Sequence, residues 1–158
     1  MEESSPMNDE PRPVRWGIMG TARIATRVSR AIHAVEGAEA SVIASRSGER
    51  AAGWGSEHDI PHSLEGYQAL LDDQTLDAIY IPLPPSMHHE WTIKAAELGK
   101  HVLCEKPIAM NASQAEEMAA ACRENNVQLM DSTMWVHSPR ARDMKRVIES
   151  GQLGELSR

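Results

Sequence analysis

Five short, nearly uninterrupted apolar runs punctuate this chain: VRWGIM (14–19), ASVIAS (40–45), LDAIYIP (76–82), KHVLCE (100–105) and VQLMD (127–131). Strands that are apolar at consecutive positions have no wet face, so both sides of their sheet must be covered. The segments between them carry apolar residues at helical spacing, and strands alternating with helices build a parallel sheet wrapped on both sides. The expected fold is therefore a doubly wound α/β domain. Ligands of such sheets bind beyond the carboxyl ends of the strands, where the strand order changes direction.

The helices can be read in more detail. After the first run, Ile24, Val28, Ala31, Ile32 and Val35 fall on one face, with Arg23, Arg27 and Arg30 on another. Met87, Trp91, Ala95 and Leu98 form a second stripe that Gly99 would end as a C-terminal cap. Asn111 with Gln114 has the form of a capping box for a helix burying Ala115, Met118, Ala119 and Cys122. Ser138-Pro139 opens a last helix, with Met144, Val147 and Ile148 expected inward and Gly151 closing it.

A length of 158 residues suits one cored domain. Residues 1–13 hold three prolines and four acidic residues with little to bury, and are expected to form a disordered tail. The net charge of −7, with no run of Lys or Arg, argues against a nucleic-acid partner. No stretch has the length of a membrane span and the start lacks the order of a signal peptide, so a cytoplasmic protein without a membrane partner is expected. Cys104 and Cys122 have no metal or redox spacing and read as buried thiols.

The first strand and helix are joined by GIMGTARIA (17–25). As a dinucleotide fingerprint, Gly20, Ala22 and Ala25 take its three small positions: the tight turn, close approach to the pyrophosphate, and helix–strand packing. The alternative is a plain strand–turn–helix junction. Thr21, Arg23 and Ile24 complete the turn and the start of the helix, whose amino terminus offers N–H groups to a phosphate. Where an acidic residue would bind the ribose 2′-hydroxyl of NAD, the second strand ends in Ser45 and Arg46. Arg46 would attract a 2′-phosphate that a carboxylate would repel, which favours NADP(H), with NAD(H) as the alternative. The bland reading of Arg46 is an exposed arginine after a strand.

Three segments carry a more specific signal: GIMGTARIA, then YIPLPPSMHHEWTIKAAELGKHVLCEKPIAMNASQAEEM, then MWVHSPR. In order and spacing they resemble the glucose–fructose oxidoreductase, inositol dehydrogenase and MocA (Gfo/Idh/MocA) family of nicotinamide-dependent sugar and polyol oxidoreductases, over essentially Val14 to the end. The resemblance implies a Rossmann NAD(P)-binding domain. It implies that Lys106 holds the reacting hydroxyl or carbonyl oxygen and assists its proton transfer, and that Glu105 lies beside the cofactor ribose. It also implies that Pro82, Leu83 and Pro84 pass the ribose with His88 nearby. Met134, Trp135 and His137 would line the nicotinamide or substrate side, with ordinary packing the alternative for Trp135. Adjacent His88 and His89 suggest a metal, but neighbouring helix residues diverge and no third ligand has suitable spacing, so no metal site is assigned.

Val136 stands where family members often have Arg, and the MWVHSPR form is closer to the glucose–fructose oxidoreductase and dihydrodiol dehydrogenase branch. Family enzymes continue into a second α/β domain that supplies most of the sugar pocket. The organisation expected here is thus a tail (1–13), a dinucleotide-binding domain (14–152) and the start of a truncated second domain (153–158). The leading function is the nucleotide-binding half of an NADP(H)-dependent oxidoreductase acting on a sugar, polyol or related diol, homo-oligomeric in its full-length form. The alternative is a cofactor-binding or regulatory module without catalysis. A methyltransferase on a similar sheet is disfavoured, because Glu-Lys-Pro would have no task in it.

Overall fold

The computed structural model describes residues 12–154. Six parallel strands form one sheet in the order β3-β2-β1-β4-β5-β6. They are β1 (Val14–Met19), β2 (Ala38–Ser45), β3 (His62–Glu65), β4 (Ala78–Ile81), β5 (His101–Cys104) and β6 (Leu129–Asp131). The helices are α1 (Arg23–His33), α2 (Gly48–Glu57), α3 (Tyr67–Asp72), α4 (Pro85–Glu97), α5 (Ala112–Glu124) and α6 (Pro139–Glu149), with a 3₁₀ turn at Met134–His137. The strand order reverses between β1 and β4, and this Rossmann order opens a crevice above their carboxyl ends.

Alternate residues of each strand serve opposite faces, and the core divides accordingly. Met19, Val42, Ile79, Ile81, Val102 and Cys104 point to one side, beneath α3, α4 and α5. Ile18, Ile43 and Tyr80 point to the other, beneath α1 and α2, joined by Ala40 because β2 shifts register against β1 between Ala40 and Val42. Complete burial of each Ile or Leu is worth about 1.5–3 kcal/mol, which is why these strands read as continuous apolar runs. Gly17 suits this packing, since a Cβ there would lie 2.7 Å from the Cδ1 of Leu76, which would have to move. Helices α1 and α2 are tied by His58, whose Nδ1–H donates to the Trp54 carbonyl at 3.1 Å; Nε2 therefore accepts from the Thr26 hydroxyl at 2.7 Å.

Several sequence expectations need correction. There are six strands rather than five: β3 is an edge strand, HSLE, with none of its residues fully buried, and it carries no apolar signature. Helix α1 buries Ala25, Ser29 and Ile32, while Ala31 and Val35 are exposed and Ile24 and Val28 are half-buried. The small Ala25 and Ser29 let the helix sit close to the sheet, turning its contact face away from the branched residues. Leu98 is exposed, although Gly99 does end α4 at a positive φ of 72°. Asn111 caps α5 by accepting from the Gln114 N–H, but Gln114 reaches back to the N–H of Met110 rather than Asn111. Met144, Val147 and Ile148 are exposed: among the described residues α6 packs chiefly on the turn before it.

Arg12, placed by sequence in the tail, makes a two-pronged pair with Asp77 at 2.7 and 2.8 Å. Residues 1–11 of that tail, and 155–158 of the segment assigned to a second domain, lie outside the described residues.

Candidate nucleotide site and catalytic edge

The crevice is built from three strand ends. After β1, Gly20 turns the chain at a φ of +106°, a conformation only glycine adopts freely, and its N–H donates to the Ala44 carbonyl at 2.7 Å. A Cβ at Gly20 would meet Leu83 Cδ2 at 3.0 Å, so the turn presents bare backbone. Ala22 is the N-cap of α1 but supplies no side-chain cap, and the first turn holds no acidic residue. The Ala25 N–H donates to the Ala22 carbonyl at 2.9 Å, and the N–H groups ahead of it are left for an anion, which the helix dipole also attracts. Ala25 is fully buried, as its packing position in the fingerprint requires.

After β2, Ser45 is buried with its hydroxyl 3.4 Å from the Ser47 N–H, and Arg46 is exposed. Ser47 caps α2 by accepting from the Arg50 N–H at 3.3 Å, which places Arg50 in the first helical turn. Pro82, Leu83 and Pro84 follow β4 and form the opposing wall. These three segments close on one cleft of about 170 Å³ that takes in Gly20, Thr21, Ala22, Ser45 and Arg46 together with that wall. Arg23, exposed, and Ile24, half-buried, begin α1 beside the cleft without lining it.

Two further residues line the cleft that sequence reasoning did not single out, Arg50 and Tyr67. Arg50 could have been found: it lies four positions from Arg46, and a serine cap at Ser47 turns such a pair into one cluster. Tyr67 could not, because it reaches the cleft from α3 across a strand that the apolar pattern missed. Neither Arg46 nor Arg50 enters an ion pair among the described residues. Two uncompensated guanidiniums at the rim of a phosphate-sized turn suit a doubly charged phosphate on the ribose. The bare backbone at Gly20 and the uncapped N–H groups of α1 fit a pyrophosphate.

One strand further on, β5 ends in Cys104 and delivers Glu105, Lys106 and Pro107 to the same edge. Lys106 is exposed and the Lys106–Pro107 peptide is cis. Glu105 is only 6% exposed, and both its oxygens are engaged: Oε1 accepts from the Tyr80 hydroxyl at 2.8 Å, and Oε2 from the Lys106 N–H at 3.1 Å. His88 is fully buried, with Nε2 2.7 Å from the Leu83 carbonyl and Nδ1 3.0 Å from the Pro107 carbonyl. It ties the wall of the cleft to the Lys106–Pro107 loop from beneath, and acts on the site through these two segments. His89 points elsewhere, to Glu117 on α5 at 2.7 Å. Among the described residues no group of three or more His, Cys, Asp or Glu could hold a metal ion. Burial pushes the Cys104 thiol up to about 12, so this cysteine is an inert core group.

The segment after β6 does not join the cleft. Met134 and His137 instead border a separate, largely apolar cavity of about 390 Å³ between α1 and the outer strands, lined also by Val28, Leu103 and Met130. Trp135 lines neither cavity and is 53% exposed.

Residues 14–132 match the family model GFO_IDH_MocA, described as an oxidoreductase family with an NAD-binding Rossmann fold. The chain belongs to this family. Its sequence is 40% identical over 147 residues to a dTDP-3,4-didehydro-2,6-dideoxy-alpha-D-glucose 3-reductase of Actinomadura kijaniata, covering 91% of this chain and 43% of that protein. It is 42% identical over 125 residues to a D-xylose 1-dehydrogenase (NADP(+)) of Haloferax volcanii, covering 78% of this chain and 38% of that one. A crystal structure of a 3-ketoreductase from Actinomadura kijaniata in complex with NADP superposes with a TM-score of 0.86 at 39% identity, over 91% of this chain and 46% of that one. The chain thus spans less than half the length of these relatives. Dihydrodiol dehydrogenases are also represented, by a Xenopus laevis trans-1,2-dihydrobenzene-1,2-diol dehydrogenase at 31% identity over 144 residues.

Proposed function

We propose that this chain is the NADP(H)-binding half of an oxidoreductase that transfers hydride to or from a sugar, polyol or related diol. The carrying observation is the cleft itself, where a bare glycine turn, a free helix amino terminus and the Arg46–Arg50 pair meet within about 170 Å³. In this reading the α1 amino terminus and residues 20–22 hold the pyrophosphate. Arg46 and Arg50 hold the 2′-phosphate, and residues 82–84 wall the ribose. NADP(H) supplies the hydride acceptor or donor when bound.

Lys106 is assigned to the reacting oxygen. In the reducing direction an ammonium at the strand edge donates a hydrogen bond and then its proton to the carbonyl oxygen whose carbon gains hydride; in the oxidising direction the neutral amine takes the proton of the hydroxyl whose carbon loses hydride. Glu105 and His88 hold the backbone that carries Lys106. We further propose that residues 14–152 act as the dinucleotide-binding domain, that 153–158 lead toward a substrate domain, and that the longer form is a homo-oligomer. The relatives of known activity support the substrate class, since the two reductase and dehydrogenase relatives above act on a nucleotide-linked sugar and on xylose.

The test is a titration of the purified 158-residue chain with NADPH and with NADH, followed by nucleotide fluorescence. Saturable NADPH binding, tighter than NADH and weakened by Arg46→Ala, is the expected result. Equal affinity for the two nucleotides, or no binding, would overturn the assignment.

A further inference from the structure

We propose that Tyr80 is a positioning residue for Lys106, acting through the Glu105 carboxylate. This rests on the reading of Lys106 as the residue at the reacting oxygen.

The phenol ring of Tyr80 is fully buried in β4, in the apolar cluster of Ile18, Ala25 and Ile43 beneath α1. A phenylalanine would fill that space equally well, and a buried hydroxyl costs stability unless it is hydrogen-bonded. Its partner is a single atom, Glu105 Oε1, at 2.8 Å. The other oxygen of the same carboxylate accepts from the Lys106 N–H at 3.1 Å. Because the two oxygens belong to one planar group, fixing Oε1 fixes Oε2, and with it the peptide plane from which the Lys106 side chain departs.

Strand β4 therefore grips residue 105 twice. The Ile81 carbonyl accepts the Glu105 N–H at 3.1 Å, and the preceding residue, Tyr80, holds the carboxylate. A carboxylate buried to this depth needs donors, and the Tyr80 hydroxyl and the Lys106 N–H are those given to it among the described residues. Burial, with the bond to Glu105 and its charge adding to it, raises the Tyr80 phenol above its ordinary range. Lys106 itself is exposed and enters no ion pair among the described residues, so its backbone is what sets its direction.

Tyr80→Phe in the 158-residue chain tests this by amide hydrogen exchange followed in ¹H–¹⁵N spectra without cofactor. The Val102 amide of β5, which donates to the Gln128 carbonyl just before β6, serves as the internal reference. Loss of one hydrogen bond's worth of restraint should speed Lys106 exchange about fivefold relative to Val102. NADPH affinity should stay within about threefold, since Tyr80 lines no part of the cleft. An unchanged Lys106 amide would overturn the proposal. So would a parallel rise at Lys106 and Val102, which would mean that Tyr80 supports only the fold.

If Tyr80→Phe fails to fold, 3-fluorotyrosine incorporated in a Tyr67→Phe background keeps the packing and alters the hydroxyl as donor. A shifted Lys106 cross-peak supports the link, and an unmoved one overturns it. Failure of the wild-type chain to bind NADPH would sink the proposed function instead, and the amide measurement, made without nucleotide, distinguishes the two.

Discussion

The two halves of the sheet are finished to different degrees. Around β1, β2 and β3 both faces are covered, by α1 and α2 on one side and α3 on the other, and the cleft at their carboxyl edge is lined by side chains already in place. Around β5 and β6 only one face is covered, by α4 and α5, and the opposite face ends in the cavity bordered by Leu103, Met130 and Met134. Of the twelve large apolar side chains exposed among the described residues, eight lie between Met130 and Leu153. The difference teaches that the proposed nucleotide cleft is complete once β4 adds its wall of residues 82–84, whereas the outer strands leave apolar surface uncovered.

The largest effect should come at the carboxyl end of β5, at Lys106. In a longer, catalytically active form such as the one proposed, Lys106→Met should lower turnover by roughly 100-fold or more, while NADPH affinity stays within a few fold. Steady-state kinetics beside nucleotide titration separates the two quantities. Full turnover would remove Lys106 from the chemistry, and a matching loss of affinity would make it part of the nucleotide cradle.

Within the finished half, Arg46→Ala should weaken NADPH binding by about 1.5 to 3 kcal/mol, the worth of charge-assisted contacts, and barely change NADH. Arg50→Ala should act in the same direction, and the double variant should lose less than the sum if, as proposed, both guanidiniums serve one phosphate. Equal losses for both nucleotides would show that the pair supports only the fold.

How much of this was legible in the chain depends on the range of the interaction. The five apolar strands, the glycine turn, the cap at Ser138 and the Glu-Lys-Pro edge are local patterns, and each can be read from neighbours in sequence. Strand β3 was invisible because an edge strand of four residues buries almost nothing. The face of α1 was misread because small residues, Ala25 and Ser29, decide how closely a helix approaches a sheet, and periodicity scores size rather than fit. The Tyr80–Glu105 bond joins positions 25 apart, and the His88 bridge unites two loops that only the fold brings together. The inward face expected for α6 failed for another reason: the pattern was right, but among the described residues nothing covers it.

A core substitution measures how rigid the finished half is. Gly17→Ala would place a methyl 2.7 Å from Leu76 Cδ1 and 3.0 Å from the Cδ1 atoms of Leu70 and Ile79. Overpacking of this kind costs about 1–3 kcal/mol, to be read from the midpoint of urea unfolding at constant slope. A loss below about 0.5 kcal/mol would mean that this face of the sheet gives way, and would blur the contrast with the open half.

The smallest effect is predicted for the open half. Met144→Gln with Ile148→Gln removes two apolar side chains, each 47% exposed, from α6. An exposed substitution away from any partner changes stability by no more than about 0.5 kcal/mol, so urea unfolding should barely move. The apolar strip should nonetheless drive self-association of the isolated chain, because Met144, Val147, Ile148 and Leu153 form one uncovered apolar stripe. Sedimentation at rising concentration should show the wild-type chain associating and the double variant remaining monomeric. A stability loss above about 1.5 kcal/mol would instead mean that α6 folds back onto the outer strands in solution, covering the cavity by Met130 and erasing the difference between the two halves.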